Sequence, residues 1–201
     1  MPGLYHAVEQ FVASGSVCRP QERLPQSEYG LYWTETLVNG GDEVTGYTQS
    51  LEDYLETLYV IGLEQKVVRV RDVAQALGVK MPSVVVAIKV LSEKGLVEQE
   101  KYGYIELTAE GERVGKEIYA RHQMLLVFFH DILGLDKEVA EQDACRIEHY
   151  LSPEARDRVL KMVQFVQQCP GEEVMFLKKF RHFAETGERS ECTGCCEFGP
   201  K

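Results

Sequence analysis

The order of predicted elements between residues 50 and 107 constrains the fold of this 201-residue chain more than any other feature. Apolar residues at helical spacing predict a helix over about 50–64. A short helix is predicted over 70–77 and a third helix over 82–94. Two short β-prone runs within 96–107 predict a hairpin. Helix, short helix, turn, helix and hairpin is the order of a winged helix-turn-helix.

Residues that start and stop helices support this order. Ser50 is the predicted N-cap of the first helix, and Gly78 ends the second. Pro82 suits the first turn of the third helix. Thr108 is the predicted cap of a long helix that reaches about residue 134. Further helices are predicted over about 137–150, 153–168 and 172–186.

These elements predict a mainly α fold with two domains. The winged helix-turn-helix occupies residues 50–118, and an all-helical domain follows over 119–186. Residues 187–201 are polar and cysteine-containing, which is typical of a flexible tail. Residues 1–49 have little helical periodicity, and we interpret them as a disordered extension or as the product of a misassigned gene start. In the second case, residues 40–44 would be encoded by a ribosome-binding sequence, its spacer and a GTG start codon.

The charge distribution leaves room for a nucleic-acid partner although the net charge is −10. Residues 66–121 carry 10 basic and 8 acidic side chains, and they are the only positive segment. Residues 1–65 have a net charge of −8 and residues 122–201 of −4. Because salt screens exposed charges beyond roughly 10 Å, a locally basic module can still bind phosphates.

The sequence predicts neither a membrane span nor a signal peptide. The longest apolar run, Met124 to Phe129, has six residues, whereas a span needs about 20. The N-terminus has no basic patch that leads into an apolar core. We therefore expect a cytoplasmic protein without a membrane partner, in which the six cysteines are thiols or metal ligands.

The third helix is the predicted DNA-reading helix, and the hairpin is the wing that contacts the backbone. Of the three valines at positions 84–86, at least one is expected in the hydrophobic core and at least one is expected to face outward. An outward valine can contact thymine methyl groups but cannot make a bidentate base contact. The alternative is a helix-turn-helix that serves only protein contacts. The DNA-binding candidates are Lys80, Pro82, Ser83, Val86, Lys89, Lys101 and Tyr102.

Two groups of side chains have the spacing of metal ligands. Cys145, Glu148 and His149 share one helical face within one turn, and so do Asp53 and Glu56 on the first predicted helix. Thiolate, carboxylate and imidazole together suit a divalent transition metal. The alternative is that the acidic pair is the polar face of an amphipathic helix. His122 is a sixth candidate, although a lone histidine on a helix is more often structural.

The order of five sequence blocks resembles the diphtheria-toxin-repressor family of metal-dependent transcriptional regulators. This family includes the iron-dependent repressors and the manganese transport regulators. A generic winged helix would share only the two middle blocks, so the match is specific. The blocks are 50–59, 82–84 with 91–97, 107–111, 121–122 and 143–152.

The resemblance implies a metal site that combines two branches of the family. Asp53 and Glu56 match ligands of the manganese-type members, and Cys145 matches the cysteine of the iron-type members. His122, Glu148 and His149 match ligands common to both. Fe²⁺ suits thiolate and carboxylate together, so it is favoured, with Mn²⁺ next. An ancillary site of the iron-type members is in doubt, because Leu126 and Glu141 replace its glutamate and histidine.

The resemblance also implies the mode of action. The helical domain would bind the metal and form a homodimer, and the dimer would bind a palindromic operator in double-stranded DNA. The protein would then be a repressor of metal-homeostasis genes, not an enzyme, and without a small-molecule substrate. The chain leaves no room for a further SH3-like domain after about residue 186.

A cysteine cluster in the tail supports the alternative function. Cys192, Cys195 and Cys196 form a CxxCC pattern, which can bind a second metal or undergo redox chemistry. Equally, these residues could be reactive thiols on a flexible tail. The alternative is therefore a thiol-based redox- or metal-sensing regulator that acts through the tail.

Overall fold

The computed structural model describes residues 46–65, 67–99, 103–168 and 175–189. These residues form a mainly helical structure with one small sheet. In chain order the elements are α1 (Gln49–Glu64), β1 (Val68–Arg69), α2 (Val70–Leu77), α3 (Met81–Glu93), β2 (Val97–Gln99), β3 (Tyr104–Leu107), α4 (Ala109–Val127), a π-helical turn (Phe128–Ile132), α5 (Lys137–Ile147), α6 (Pro153–Gln167) and α7 (Met175–Thr186).

The predicted winged helix-turn-helix is confirmed, and its wing belongs to a three-stranded antiparallel sheet. The strand order is β1–β3–β2. Val97 pairs with Leu107 in the predicted hairpin. Val68 pairs with Ile105 on the other side of β3. The strand β1 is not predicted from the sequence, because two residues are too short to show alternation.

A first hydrophobic core joins α1, α2, α3, the sheet and the start of α4. Its fully buried members include Leu55, Val73 and Val84. Helices α1 and α4 approach closely at Gly115, where an added Cβ would lie 2.9 Å from Cβ of Tyr59. A larger residue at 115 would therefore push α1 away from α4.

A second hydrophobic core lies among the helices that follow. It contains Met124, Ala144 and Val163, contributed by α4, α5 and α6. The two cores meet along α4, between Ile118 and Ala120. Helix α4 is continuous through this point, so it belongs to both halves of the chain.

One predicted helix cap is wrong, and one predicted helix changes its geometry before its end. The first helix begins at Gln49 with Thr48 as its cap residue, so Ser50 is not the cap. The long helix leaves α-helical geometry at Phe128, where a π-helical turn begins. The predicted cap at Thr108 is confirmed, since its Oγ1 accepts from the backbone N–H of Gly111 at 3.0 Å.

Among the described residues, no single helix is long and apolar enough to cross a membrane, and only the pair α2 and α3, bent by 111°, meets that test together. Several predicted features lie outside the described residues. They are residues 1–45, the wing candidates Lys101 and Tyr102, and the tail cysteines Cys192, Cys195 and Cys196.

Candidate metal centre

Helix α1 contributes two carboxylates to a buried polar cluster. Asp53 and Glu56 are one turn apart, and the adjacent Leu55 faces the first core. This placement follows from the amphipathic pattern of α1, in which the apolar face is buried and the flanking face points toward α4 and the turn after α5. The side chain of Asp53 remains 29% exposed, so the cluster is open to solvent on this side.

His149 connects the turn after α5 to α1. Its imidazole Nε2 lies 2.9 Å from Oδ1 of Asp53 and 3.3 Å from Oε1 of Glu148. Its Nδ1 lies 2.6 Å from Oε2 of Glu52. The imidazole therefore bridges α1, in the first half of the chain, and the turn at residues 148–150.

His122 lies on α4 and is a buried member of the cluster. Its Nδ1 lies 3.0 Å from Oε2 of Glu148, and its Nε2 lies 3.3 Å from Oε1 of Glu141. Glu56, His122 and Glu148 each offer a ligand atom within 4.8 Å of the others. The structure thus brings together five of the six predicted ligands: Asp53, Glu56, His122, Glu148 and His149.

The crowding of carboxylates and imidazoles shifts their pKa values strongly. Burial raises the pKa of Glu56, and the charge of Glu148 adds to this, so the pKa is about 8. Burial by itself would lower the pKa of His149, but Asp53, Glu148 and Glu52 outweigh it and raise the pKa to about 11.

The pKa of His122 is also raised well above its usual range, since the carboxylates of Glu148 and Glu141 outweigh the effect of burial. For Glu148 the balance is the reverse. Burial would raise its pKa, but the imidazoles of His122 and His149 lower it. The metal-free cluster therefore holds protons on both imidazoles and on Glu56 near neutral pH.

The donor set fits a divalent cation. Oε1 of Glu148 and Nε2 of His149 are buried, and among the described residues their close contacts lack the geometry of a normal hydrogen bond. They lie 3.3 Å apart and face the same space. Buried polar atoms without a partner are costly unless a ligand satisfies them. Carboxylates and imidazoles are suitable ligands for Mn²⁺ and Fe²⁺.

Cys145 lines the same pocket as Asp53, Glu56 and His122. However, it is disulfide-bonded in the structure. Every other cysteine of the chain lies outside the described residues. Since the thiolate is the metal-binding form of cysteine, Cys145 can be a ligand only after the disulfide is reduced.

Sequence reasoning missed two polar residues of this cluster. Glu52 and Arg121 are not among the ligand candidates identified from the sequence. Both are buried, with 5% exposure each. Their partners are distant in the chain, so no local spacing reveals them. Glu141 was considered only for the ancillary site, and it contacts His122 directly.

The amino end of α3 is an exposed surface, as the predicted DNA-reading helix requires. Lys80, Pro82, Ser83 and Lys89 are all exposed. Of the three valines, Val84 is fully buried, while Val85 and Val86 are 51% and 64% exposed. Two valines thus face outward, in agreement with the expectation of at least one, and Val85 was not among the candidates.

A winged helix-turn-helix joined through a buried cluster of metal-ligand type to a helical domain defines a metal-responsive DNA-binding protein. Comparisons with known proteins agree with this class. The family model described as the iron dependent repressor N-terminal DNA binding domain matches residues 47–105. The model described as the iron dependent repressor metal binding and dimerisation domain matches residues 108–177. The chain belongs to the iron-dependent repressor family.

Individual relatives support this membership. The chain is 36% identical over 123 residues to the HTH-type transcriptional regulator MntR of Lysinibacillus sphaericus, which is 61% of this chain and 88% of that protein. It is 36% identical over 121 residues to MntR of Bacillus subtilis, covering 60% of this chain and 84% of that protein.

Solved structures show the same architecture. IdeR of T. acidophilum matches with a TM-score of 0.52 and 25% identity, covering 61% of this chain and 57% of that one. A manganese-dependent transcriptional repressor in complex with manganese matches with a TM-score of 0.54 and 27% identity, covering 60% and 55%. The chain therefore spans little more than half of the length of these solved structures.

Proposed function

We propose that this protein is a metal-dependent transcriptional repressor that acts as a homodimer on a palindromic operator of metal-homeostasis genes. The observation that carries the proposal is the position of the cluster. Asp53 and Glu56 lie on α1 of the DNA-binding half, whereas Glu148 and His149 follow α5 of the second half. Ligands from two halves of a chain can couple cation binding to the relative position of those halves.

The role of the protein's own residues follows from their charges. With the cluster empty of metal, the carboxylates of Asp53, Glu56 and Glu148 repel one another unless protons compensate them. A divalent cation, when bound, supplies the positive charge that holds these groups together. Asp53 and Glu56 then fix α1, and Glu148 and His149 fix the turn after α5. In a two-fold dimer this sets the distance between the two α3 helices to match the half-sites of the operator.

Hard divalent cations are the proposed effectors, with Mn²⁺ ahead of Fe²⁺. The prediction from the sequence favours Fe²⁺, because it includes Cys145 as a thiolate ligand. With Cys145 in a disulfide, the remaining donors are carboxylates and imidazoles, which suit Mn²⁺ well. Two of the similar structures are described as a manganese regulator and a manganese-dependent repressor.

The DNA contacts are proposed at the exposed end of α3. Lys80, Ser83 and Lys89 would contact phosphates, and Val85 and Val86 would contact thymine methyl groups. Lys101 and Tyr102 remain proposed wing contacts. We further propose that the protein acts as a DNA-binding regulator in the cytoplasm and not as an enzyme.

The homodimer is proposed to form through the second half of the chain. Large apolar side chains remain exposed on α6 and α7, namely Phe165 at 65%, Phe176 at 60% and Phe183 at 47%. Exposed apolar groups mark an interaction surface where they form one contiguous patch, and we propose that these groups do so. The matching family model for this half is described as a metal binding and dimerisation domain.

Fluorescence anisotropy with a DNA duplex from the region upstream of the gene tests the proposal. Measurements are made without oxygen, first with chelator and then with Mn²⁺, Fe²⁺ or Zn²⁺. We expect tight binding only with metal, and the order of the metals gives the effector. Binding that is equally tight with chelator would contradict the proposal.

A thiol-based redox regulator is the second candidate, because the disulfide at Cys145 places one redox-active group beside the cluster. Deletion of residues 187–201 distinguishes the two functions. A redox regulator that acts through the tail cysteines would lose its response to reductant. A metal-dependent repressor would keep its response to metal.

A further inference from the structure

Glu52 is a buried carboxylate next to the cluster, and none of the roles described so far uses it. It lies in the first turn of α1 and is 5% exposed. Its Oε2 is 2.6 Å from Nδ1 of His149, 97 residues further along the chain. A contact this short between a carboxylate and an imidazole is typical of a charge-assisted hydrogen bond, with the ring N–H as the donor.

This hydrogen bond decides which ring nitrogen of His149 is free. An imidazole that donates its Nδ1–H to a carboxylate presents the lone pair of Nε2, once Nε2 has lost its proton. Nε2 is the atom that faces Asp53 and Glu148. The geometry of Glu52 therefore selects the tautomer that a metal ligand at this position needs.

Glu52 is itself held by a buried cation from α4. Nη1 of Arg121 lies 3.9 Å from Oε2 of Glu52, and Nη2 lies 3.5 Å from Oε1 of Glu117. All three side chains are 7% exposed. The guanidinium thus places a positive charge beside the carboxylate of Glu52, so that α1, α4 and the turn after α5 meet at this one residue.

We infer that Glu52 is a positioning residue for metal binding: its carboxylate, backed by Arg121, orients the imidazole of His149 so that Nε2 points into the cluster. This inference rests on the proposed metal function of His149. It assigns Glu52 no direct contact with the metal. Through Glu52, α1 would orient His149, which belongs to the other half of the chain.

Glu52→Gln tests the inference with little change in side-chain volume. Loss of an outer hydrogen-bond partner of a histidine ligand typically weakens metal binding by about 10- to 100-fold. We expect a loss of this size in the dissociation constant for Mn²⁺, measured by calorimetry on the full chain.

Tyr150→Phe is the matched control. The hydroxyl of Tyr150 donates to Oε1 of Gln49 at 2.7 Å, so it joins the same turn to the same helix without touching an imidazole. We expect Tyr150→Phe to bind Mn²⁺ like the wild type. Equal losses in Glu52→Gln and Tyr150→Phe would overturn the inference, because they would show that only the attachment of α1 to the turn matters.

A spectroscopic measurement on the wild type tests the orientation directly, whatever the variants do. In protein loaded with Zn²⁺, long-range proton–nitrogen correlation spectra distinguish a protonated Nδ1 from a metal-bound one. The signals of His149 are assigned by their absence in His149→Gln. We expect a protonated Nδ1 and a metal-bound Nε2. Metal at Nδ1 would overturn the inference.

The outcomes separate this inference from the proposed function. Failure of the wild type to bind Mn²⁺ or Zn²⁺ would contradict the metal function and with it the role of Glu52. If the wild type binds Mn²⁺ and Glu52→Gln binds it with the same affinity, only the role of Glu52 is overturned and the metal function stands.

Discussion

The side chains of the cluster hold protons in the metal-free protein but must lose them to bind a metal. Near neutral pH the metal-free protein keeps protons on His122 and His149, because neighbouring carboxylates raise their pKa values against the effect of burial, and on Glu56, because burial raises its pKa. A metal ligand must be a neutral imidazole or an ionised carboxylate. Protons and metal therefore compete for the same atoms.

This competition predicts that metal binding releases protons. All three groups have raised pKa values, so they are protonated in the free protein at pH 7 and must lose protons to bind. Affinity for Mn²⁺ should then rise with pH, by up to about tenfold per pH unit for each proton released. Calorimetry in two buffers with different ionisation enthalpies measures the number of protons. A release of zero and an affinity independent of pH would contradict this account.

Cys145 gives a second prediction at the level of single residues. Reduction of its disulfide creates a thiol beside Asp53 and Glu56. Since thiolate is a soft ligand, reductant should increase the affinity for Cd²⁺ and Zn²⁺ relative to Mn²⁺. Competition titrations with and without a phosphine reductant, which carries no thiol, measure this ratio. The control is Cys145→Ser, which should show no change with reductant, and the same change in both proteins would exclude Cys145 as the ligand.

At the scale of elements, sequence signals succeeded where a local rule decides the structure. The ends of α2 at Gly78 and the cap of α4 at Thr108 follow from the backbone freedom of glycine and from a single hydroxyl. The π-helical turn at Phe128 could not be predicted, because the run from Met124 to Phe129 continues an apolar helical pattern. Tertiary packing determines where that helix changes.

The same limit applies to the candidate site. Spacing within one helical turn identified Asp53 with Glu56, and Cys145 with Glu148 and His149, since residues three and four apart share a face. The contact of Glu52 with His149 depends on how α1 packs against the turn after α5, and no local pattern encodes it.

The close approach of α1 and α4 is testable through one glycine. In Gly115→Ala the new Cβ would lie 2.9 Å from Cβ of Tyr59, so α1 has to shift. Overpacking of this kind typically costs about 1–3 kcal/mol, and we expect a lower melting temperature and weaker Mn²⁺ binding.

The matched control for this variant is Gly62→Ala on the exposed side of α1, where nothing lies within 4 Å of the new Cβ. We expect this control to be unchanged or slightly more stable, by about 0.5–1 kcal/mol. Thermal unfolding compares the two proteins. If Gly115→Ala were as stable as Gly62→Ala and bound Mn²⁺ as tightly, this result would contradict the close approach of α1 and α4 at Gly115.

At the scale of the whole molecule, α4 is the element that unites the two halves. It contributes to both hydrophobic cores, and it carries His122 and Arg121 toward the cluster. The first half presents the exposed end of α3, and the second half presents the exposed aromatic groups of α6 and α7. The cluster lies between the two halves, where a bound cation would act on both.

The central claim is that this cluster makes DNA binding depend on metal, and Glu148→Ala tests it most directly. Glu148 is 3% exposed and contacts the imidazoles of both His122 and His149. The control is Glu138→Ala, which removes an exposed carboxylate from α5. Anisotropy on the operator duplex is measured with chelator and with Mn²⁺, and light scattering verifies the dimer. We predict that Glu148→Ala remains a folded dimer but loses Mn²⁺-dependent binding, while Glu138→Ala keeps it. A normal response to Mn²⁺ in Glu148→Ala would contradict the account.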